Sequence, residues 1–169
     1  FGTEEDLKEL IALCKERNVQ LILDLAINHS SSQHPWFLEF KEARAKGDTE
    51  NPYYDYYSCV TEAEKVGGRT YQKIAGVDCW FECNFSSEMP ELNYDNPEVR
   101  QAMLDVAKYY LDLGVDGFRF DAVKYIYYGD TEQSVAFWEW YMEELRKIDP
   151  DVYVVGECWS GESEILAYY

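Results

Sequence analysis

Apolar positions along this chain fall into alternating helical and strand rhythms. Leu7, Leu10, Ile11 and Cys14 recur at helical spacing behind a Thr3 N-cap and an acidic first turn, Glu4-Glu5-Asp6, and Asn18 ends the segment. Val19 to Leu25 is then a nearly continuous apolar run, the pattern of a strand buried on both faces of a parallel sheet. Further on, Asn96-Pro97-Glu98 reads as an N-cap followed by proline at the first helical position. Val99, Met103, Val106, Ala107, Tyr110 and Leu111 make the apolar stripe of that helix, and Gly114 stops it. Residues 115–120 form the next predicted strand. A helix over about 132–147 follows, with Val135, Trp138, Tyr141, Met142 and Leu145 on its buried face, and residues 152–155 form a third strand.

Between these blocks the alternation stops. Residues 30–95 are rich in Tyr, Ser, Asn, Gly and charge, with Pro35, Pro52 and Pro90 as breakers. A structureless loop of that length is rare in a compact domain, so a small irregular subdomain inserted after the first strand is expected. Thr70-Tyr71-Gln72-Lys73 and Cys79-Trp80-Phe81-Glu82-Cys83 are candidate short strands within it.

Two carboxylates stand out against this frame. Asp121 closes Gly117-Phe118-Arg119-Phe120-Asp121, and Glu157 closes Val154-Val155-Gly156-Glu157. One amphipathic helix lies between them, and a right-handed crossover makes the two strands parallel, with both acids on one rim. Paired carboxylates on adjacent strand tips are the equipment for cleaving a glycosidic bond by double displacement. Arg119, two residues before Asp121, shares its face and favours the ionised form a nucleophile needs. The plainer reading is a buried ion pair. Around Glu157, the neighbours Val154, Val155, Cys158 and Trp159 offer little positive charge, a setting that favours the protonated form of a general acid. The plainer reading there is a strand-end glutamate paired with some lysine. Asn28-His29 by itself could be a turn, Lys124 a substrate contact or a solvated lysine, and Tyr125 to Tyr128 a stacking surface or packing.

Composition narrows the class. A length of 169 residues with 47% apolar content suffices for one sizeable core. The formal charge of −18 repels nucleic acid and anionic membrane as partners, but not neutral sugars. Aromatics reach 17%, and Tyr53-Tyr54-Asp55-Tyr56-Tyr57 lies in a polar stretch where sugar stacking competes with packing as the explanation. No stretch approaches the roughly 20 apolar residues of a membrane span. The five cysteines form no zinc pattern. Cys79 with Cys83, or Cys59 with either, could be bridged, and the odd count leaves one thiol over; mostly free, buried cysteines are the expectation. The chain opens on Phe1-Gly2-Thr3 without an initiator Met or signal peptide, so it reads as an excerpt, secreted or cytoplasmic.

Taken in order, Asp24-x-x-x-Asn28-His29, Gly117-Phe118-Arg119-Phe120-Asp121-Ala122-Val123-Lys124 and Gly156-Glu157 resemble three successive signature segments of the α-amylase family of glycoside hydrolases. Met89-Pro90-Glu91-Leu92-Asn93 resembles that family's fifth short motif, and Phe1-Gly2-Thr3 and His34-Pro35-Trp36-Phe37 fit its usual lead-ins. The resemblance spans essentially the whole chain. It implies an α/β fold, part of a (β/α)8 TIM barrel with a small irregular domain inserted after the third strand. Residues 1–29 and 96–169 would then belong to the barrel and 30–95 to the insert.

The same resemblance assigns roles. Asp121 would be the nucleophile and Glu157 the general acid/base. Arg119 would orient Asp121, His29 would bind the sugar at the cleavage subsite, Asp24 would be a supporting hydrogen-bond partner, and Lys124 would contact the sugar on the leaving-group side. Some family members hold a structural calcium; its ligands here would be the Asn28 side chain, the Glu91 carboxylate and the Tyr125 carbonyl, hard donors of the kind calcium takes. Glu91 is longer than the Asp more usual there. No organic cofactor is implied.

Three departures qualify the match. Tyr125 stands where the family often has His. The third active-site Asp, on a later strand, is absent from this segment, as are the first two and last three strands. The segment alone is therefore expected to be inactive, with the rest of the same polypeptide completing the barrel. The expected activity is retaining cleavage of α-1,4-glucosidic bonds in starch-like glucans or maltooligosaccharides. Its rivals are a transglycosylase, a non-catalytic binding or transport-accessory relative, and a sugar isomerase or lyase, for whose metal cluster His29 and His34 are too few.

Overall fold

The computed structural model describes residues 2–168. In chain order its main elements are α1 (Glu4–Glu16), β1 (Ile22–Leu25), α2 (Pro35–Lys46), β2 (Cys59–Val60), β3 (Tyr71–Lys73), β4 (Trp80–Glu82), α3 (Pro97–Leu113), β5 (Gly117–Phe120), α4 (Thr131–Ile148) and β6 (Tyr153–Gly156). They divide into two compact units: residues up to Leu25 together with those from Gln101 onward, and Ala26–Arg100.

The first unit is a parallel sheet in the order β1-β5-β6. Leu25 pairs with Phe120, and Phe120 with Gly156, so all three strands end level. Helix α1 starts through a capping box: the Thr3 hydroxyl accepts the Asp6 N–H, and the Asp6 carboxylate accepts the Thr3 N–H at 2.7 Å. Each group satisfies a donor that the helix end leaves orphaned. Alternate residues of β5 carry the core, since Phe118 and Phe120 are fully buried. Phe120 lies 5.0 Å from the Trp138 ring and edge-on to Tyr141 at 5.6 Å, which docks α4 on the sheet. Each fully buried Phe contributes about 1.5–3 kcal/mol. Gly117 marks the tightest approach: a Cβ there would lie 1.8 Å from the Tyr153 carbonyl oxygen.

Two expectations for this unit are corrected. The strand from Val19 shortens to Ile22–Leu25, and as an outer strand of this three-stranded sheet it is half-exposed. The α1 stripe is likewise only partly covered: Ile11 is buried, whereas Leu10 is 47% exposed.

The insert unit departs further from expectation. Residues 35–46, read as part of an irregular stretch, form helix α2. His34 caps it by accepting the Trp36 N–H on Nδ1 at 3.2 Å, and burial lowers the proton affinity of the ring, which keeps that nitrogen an acceptor. Pro35 takes the first helical position, where its missing N–H is harmless. Phe37 and Phe40 pack against Tyr57, and Phe37 also meets Phe81 edge-on at 4.9 Å. An antiparallel sheet, β2-β4-β3, completes the unit. Of the open cysteine pairings, Cys59 with Cys79 forms a disulfide across this sheet; Cys14, Cys83 and Cys158 are free, but only Cys83 of them is buried, where buried thiols were expected.

Candidate active site

Asp121 and Glu157 each follow the last residue of a parallel strand, and those last residues, Phe120 and Gly156, are register partners. Neighbouring strands run about 4.8 Å apart, so two side chains leaving the sheet at one level suit carboxyl groups about 5–5.5 Å apart, the separation of a retaining pair. The backbones are tied as well: the Glu157 N–H donates to the Phe120 carbonyl at 2.8 Å, and the Glu157 carbonyl accepts the Val123 N–H at 3.1 Å.

Arg119 is the hub of the rim. Its Nη1 donates to both Asp24 oxygens, at 2.9 and 3.0 Å, and to Asp121 Oδ1 at 2.8 Å. Its Nη2 stands 2.6 Å from Glu157 Oε2. The hydrogen bond to Asp24, with that to Asp121 and the nearby Glu157 charge, holds the guanidinium yet more firmly protonated, against partial burial. This corrects the expected surroundings of Glu157. They are not apolar, because a cation touches the carboxylate and Trp159 is 81% exposed. Lys124 lies 3.9 Å from Glu164 Oε2 and 5.8 Å from the Tyr125 ring centre, on the loop that follows Asp121.

His29, Asn28 and Glu91 belong to the insert unit; Asp24, Arg119, Asp121, Lys124, Tyr125 and Glu157 belong to the sheet unit. His29 is backbone-bridged to Glu91, flanked by hydrogen bonds from Ser30 N–H to Pro90 and from Leu92 N–H to Asn28. Its ring is 5.6 Å from Phe85, and a cleft of about 490 Å3 lined by His29, Ser31, Ser32, Gln33, Glu88 and Met89 opens beside it. Phe85 is a lone aromatic in the polar run Asn84-Phe85-Ser86-Ser87-Glu88, which is the sequence signal for this contact.

Glu91 is buried. Its oxygens accept the Asn84 N–H and the Asn84 side-chain amide, both at 3.0 Å, and the Asn28 side chain also bonds to it. Burial, and secondarily the charge of Glu82, pushes its pKa up to about 7 despite those amide donors. The same Asn84 amide donates to Glu82 at 2.7 Å, and Arg69 pairs with Glu82 at 3.1 Å. Oxygens at Asn28 and Glu91 are of the kind calcium takes, but the Glu91 acceptors are already filled by amides. A cation bound there would compete with Asn84, which no sequence motif marks. Among the described residues no group of three or more His, Cys, Asp or Glu is placed to hold a metal ion.

Acids at the C-terminal tips of parallel strands with helical crossovers define a class, the α/β-barrel enzymes, whose chemistry sits on that rim. The family model "Alpha amylase, catalytic domain" matches residues 1–169. The chain is 43% identical to Alpha-amylase 3 of Dictyoglomus thermophilum, over all of this chain and 32% of that protein. It is 34% identical to the trehalose synthase/amylase TreS of Mycobacterium tuberculosis, over all of this chain and 30% of that one. The solved structure of Eubacterium rectale Amy13B superposes with a TM-score of 0.90 at 33% identity, over all of this chain and 33% of that chain. The chain therefore belongs to the α-amylase family of glycoside hydrolases, and its parallel strands and helices are part of a (β/α)8 barrel. It spans about a third of the length of these relatives.

Proposed function

We propose that the protein carrying this segment is a retaining α-glucan-active enzyme that cleaves α-1,4-glucosidic bonds in starch-like glucans or maltooligosaccharides. The observation that carries the reading is the level placement of Asp121 and Glu157 on neighbouring parallel strand tips. In the first step Glu157 gives its proton to the glycosidic oxygen while an Asp121 oxygen attacks the anomeric carbon. The bond to the leaving sugar breaks as the glycosyl ester to Asp121 forms. In the second step Glu157, now a carboxylate, takes a proton from water, whose oxygen displaces Asp121; two inversions give net retention.

Arg119 orients Asp121, Asp24 holds Arg119, His29 binds the sugar at the cleavage subsite, and Lys124 meets the leaving-group side. A sugar hydroxyl replacing water would make the enzyme a transglycosylase, a reading favoured by the likeness to a protein named trehalose synthase/amylase. A non-catalytic binding module is disfavoured because both carboxylates are present. The reading includes no organic cofactor and gives calcium no part in bond cleavage. This segment carries two of the three carboxylates the family resemblance implies, so it is expected to be inactive alone.

The test is maltooligosaccharide cleavage by the full-length chain, wild type beside Asp121→Asn and Glu157→Gln, with the anomer of the first product read by NMR. Release of the α-anomer, lost in Asp121→Asn and cut about 10²- to 10⁴-fold in Glu157→Gln, is expected. A β-anomer overturns the mechanism, and no cleavage by folded wild type favours the binding module.

A further inference from the structure

Val123 is held at three points, and each bears on Glu157. Its N–H donates to the Glu157 carbonyl at 3.1 Å. Its own carbonyl accepts the Trp138 indole N–H at 2.8 Å, a buried bond from helix α4. Its side chain fills the space over Gly156, where a Cβ would lie 2.8 Å from Val123 Cγ1. The chain reaches this position only because Ala122, buried and directly after Asp121, adopts a left-handed conformation at φ 52° and ψ 43°. Such a conformation is disfavoured for an L-residue and persists where the surroundings over-determine it. Here it ends the β5 direction abruptly and aims the Val123 N–H sideways at the neighbouring strand tip.

We propose that Val123 is a positioning residue that sets the spacing of the two carboxylates. The Glu157 backbone is gripped on either side of Asp121-Ala122, by Phe120 at its N–H and by Val123 at its carbonyl. The grip cannot slide, because Gly156 leaves room for the Val123 methyls and for nothing more, and Trp138 fixes the far side of the same peptide. Val123 touches no reacting atom in this scheme; it acts through Glu157. The inference rests on reading Glu157 as the general acid.

That dependence supplies a test in the full-length chain. A sugar leaving group needs the proton of Glu157, whereas fluoride leaves with little protonic help, and kcat/KM reports the step in which the leaving group departs. Gly156→Ala adds the methyl that pushes Val123 away. It should lower kcat/KM on maltotetraose about 10- to 100-fold but on α-maltosyl fluoride about threefold or less. Val123→Ala in the same chain makes room for that methyl and should restore most of the maltotetraose activity. Trp138→Phe, which removes the indole N–H while keeping an aromatic ring, should show the same split in milder form and guards against a Gly156→Ala chain that fails to fold. Equal losses on both substrates, or no recovery in the double variant, would overturn the proposal. A folded wild type that turns over neither substrate would remove the underlying reading before any variant is compared.

Discussion

Arg119 Nη2 lies 2.6 Å from Glu157 Oε2, across a strand boundary, while Nη1 of the same guanidinium serves Asp121 and Asp24. The contact follows from register: Arg119 is level with Val155, two residues short of Glu157, and its long side chain reaches toward the rim. One cation therefore shares three carboxylates. The planar fork of an arginine suits this, because its separate N–H groups address separate acceptors.

Replacing that fork with a point charge should be costly. Arg119→Lys keeps the charge but cannot span Asp121 and Glu157 together. Loss of one charge-assisted hydrogen bond, about 1.5–3 kcal/mol, corresponds to a fall of about 10- to 150-fold in kcat/KM. Asp24→Asn should cost less than Arg119→Lys, since it leaves the Arg119 contacts to Asp121 and Glu157 in place. Steady-state kinetics of both variants beside circular dichroism checks the order. A lysine variant with wild-type kinetics would mean that charge alone suffices.

Glu91 should make the insert sensitive to pH. Its carboxyl is raised from 4.5 to about 7, chiefly by burial. Between those values the folded chain keeps a proton that the unfolded chain has released. The stabilisation is therefore fully present below about pH 4.5 and is lost as pH rises through 7, by about 3 kcal/mol. Hydrogen exchange of the Leu92 amide, which bonds to Asn28 beside this cluster, gives a local readout. Protection should drop from pH 5 to pH 8 beyond the intrinsic pH effect in wild type, and much less in Glu91→Gln. An equal drop in both would place the titration elsewhere.

Chelation addresses the same cluster from another side. With both Glu91 oxygens already accepting amide N–H groups, removal of divalent ions should leave the insert's exchange protection unchanged. Protection lost in chelator and regained with calcium, but not magnesium, would instead put an ion on Asn28 and Glu91.

What the sequence made legible depends on how local its causes are. The parallel strands and the two acids at their tips could be read because each is written in a few consecutive residues, Gly117 to Asp121 and Val154 to Glu157. Helix α2 could not. Trp36, Phe37, Leu38 and Phe40 surround it instead of forming a stripe, and Pro35 passes for a breaker when it is a helix starter. The charged neighbour of Glu157 was invisible for a different reason: Arg119 is remote in sequence and arrives through cross-strand register. The Asn84 bridge between Glu82 and Glu91 is likewise a product of folding, with no spacing to announce it.

The Cys59–Cys79 bond was one of several open pairings in the sequence, and it makes the last prediction. The two residues are 20 apart and tie edge strand β2 to the start of β4. Closing a loop of that size stabilises a fold by about 3 kcal/mol, mainly by restricting the unfolded chain. The stabilisation should be confined to the insert, because both cysteines and the whole loop lie within Ala26–Arg100. Cys59→Ser with Cys79→Ser should therefore weaken exchange protection on β2, β3 and β4 while leaving β5 and β6 as they were. Activity at low temperature should survive, since neither sulfur is near Arg119, Asp121 or Glu157 in the chain's connectivity. A reducing agent should reproduce the double variant in the wild type and do nothing to the variant itself. Protection lost from β5 as well would mean that the two units unfold together.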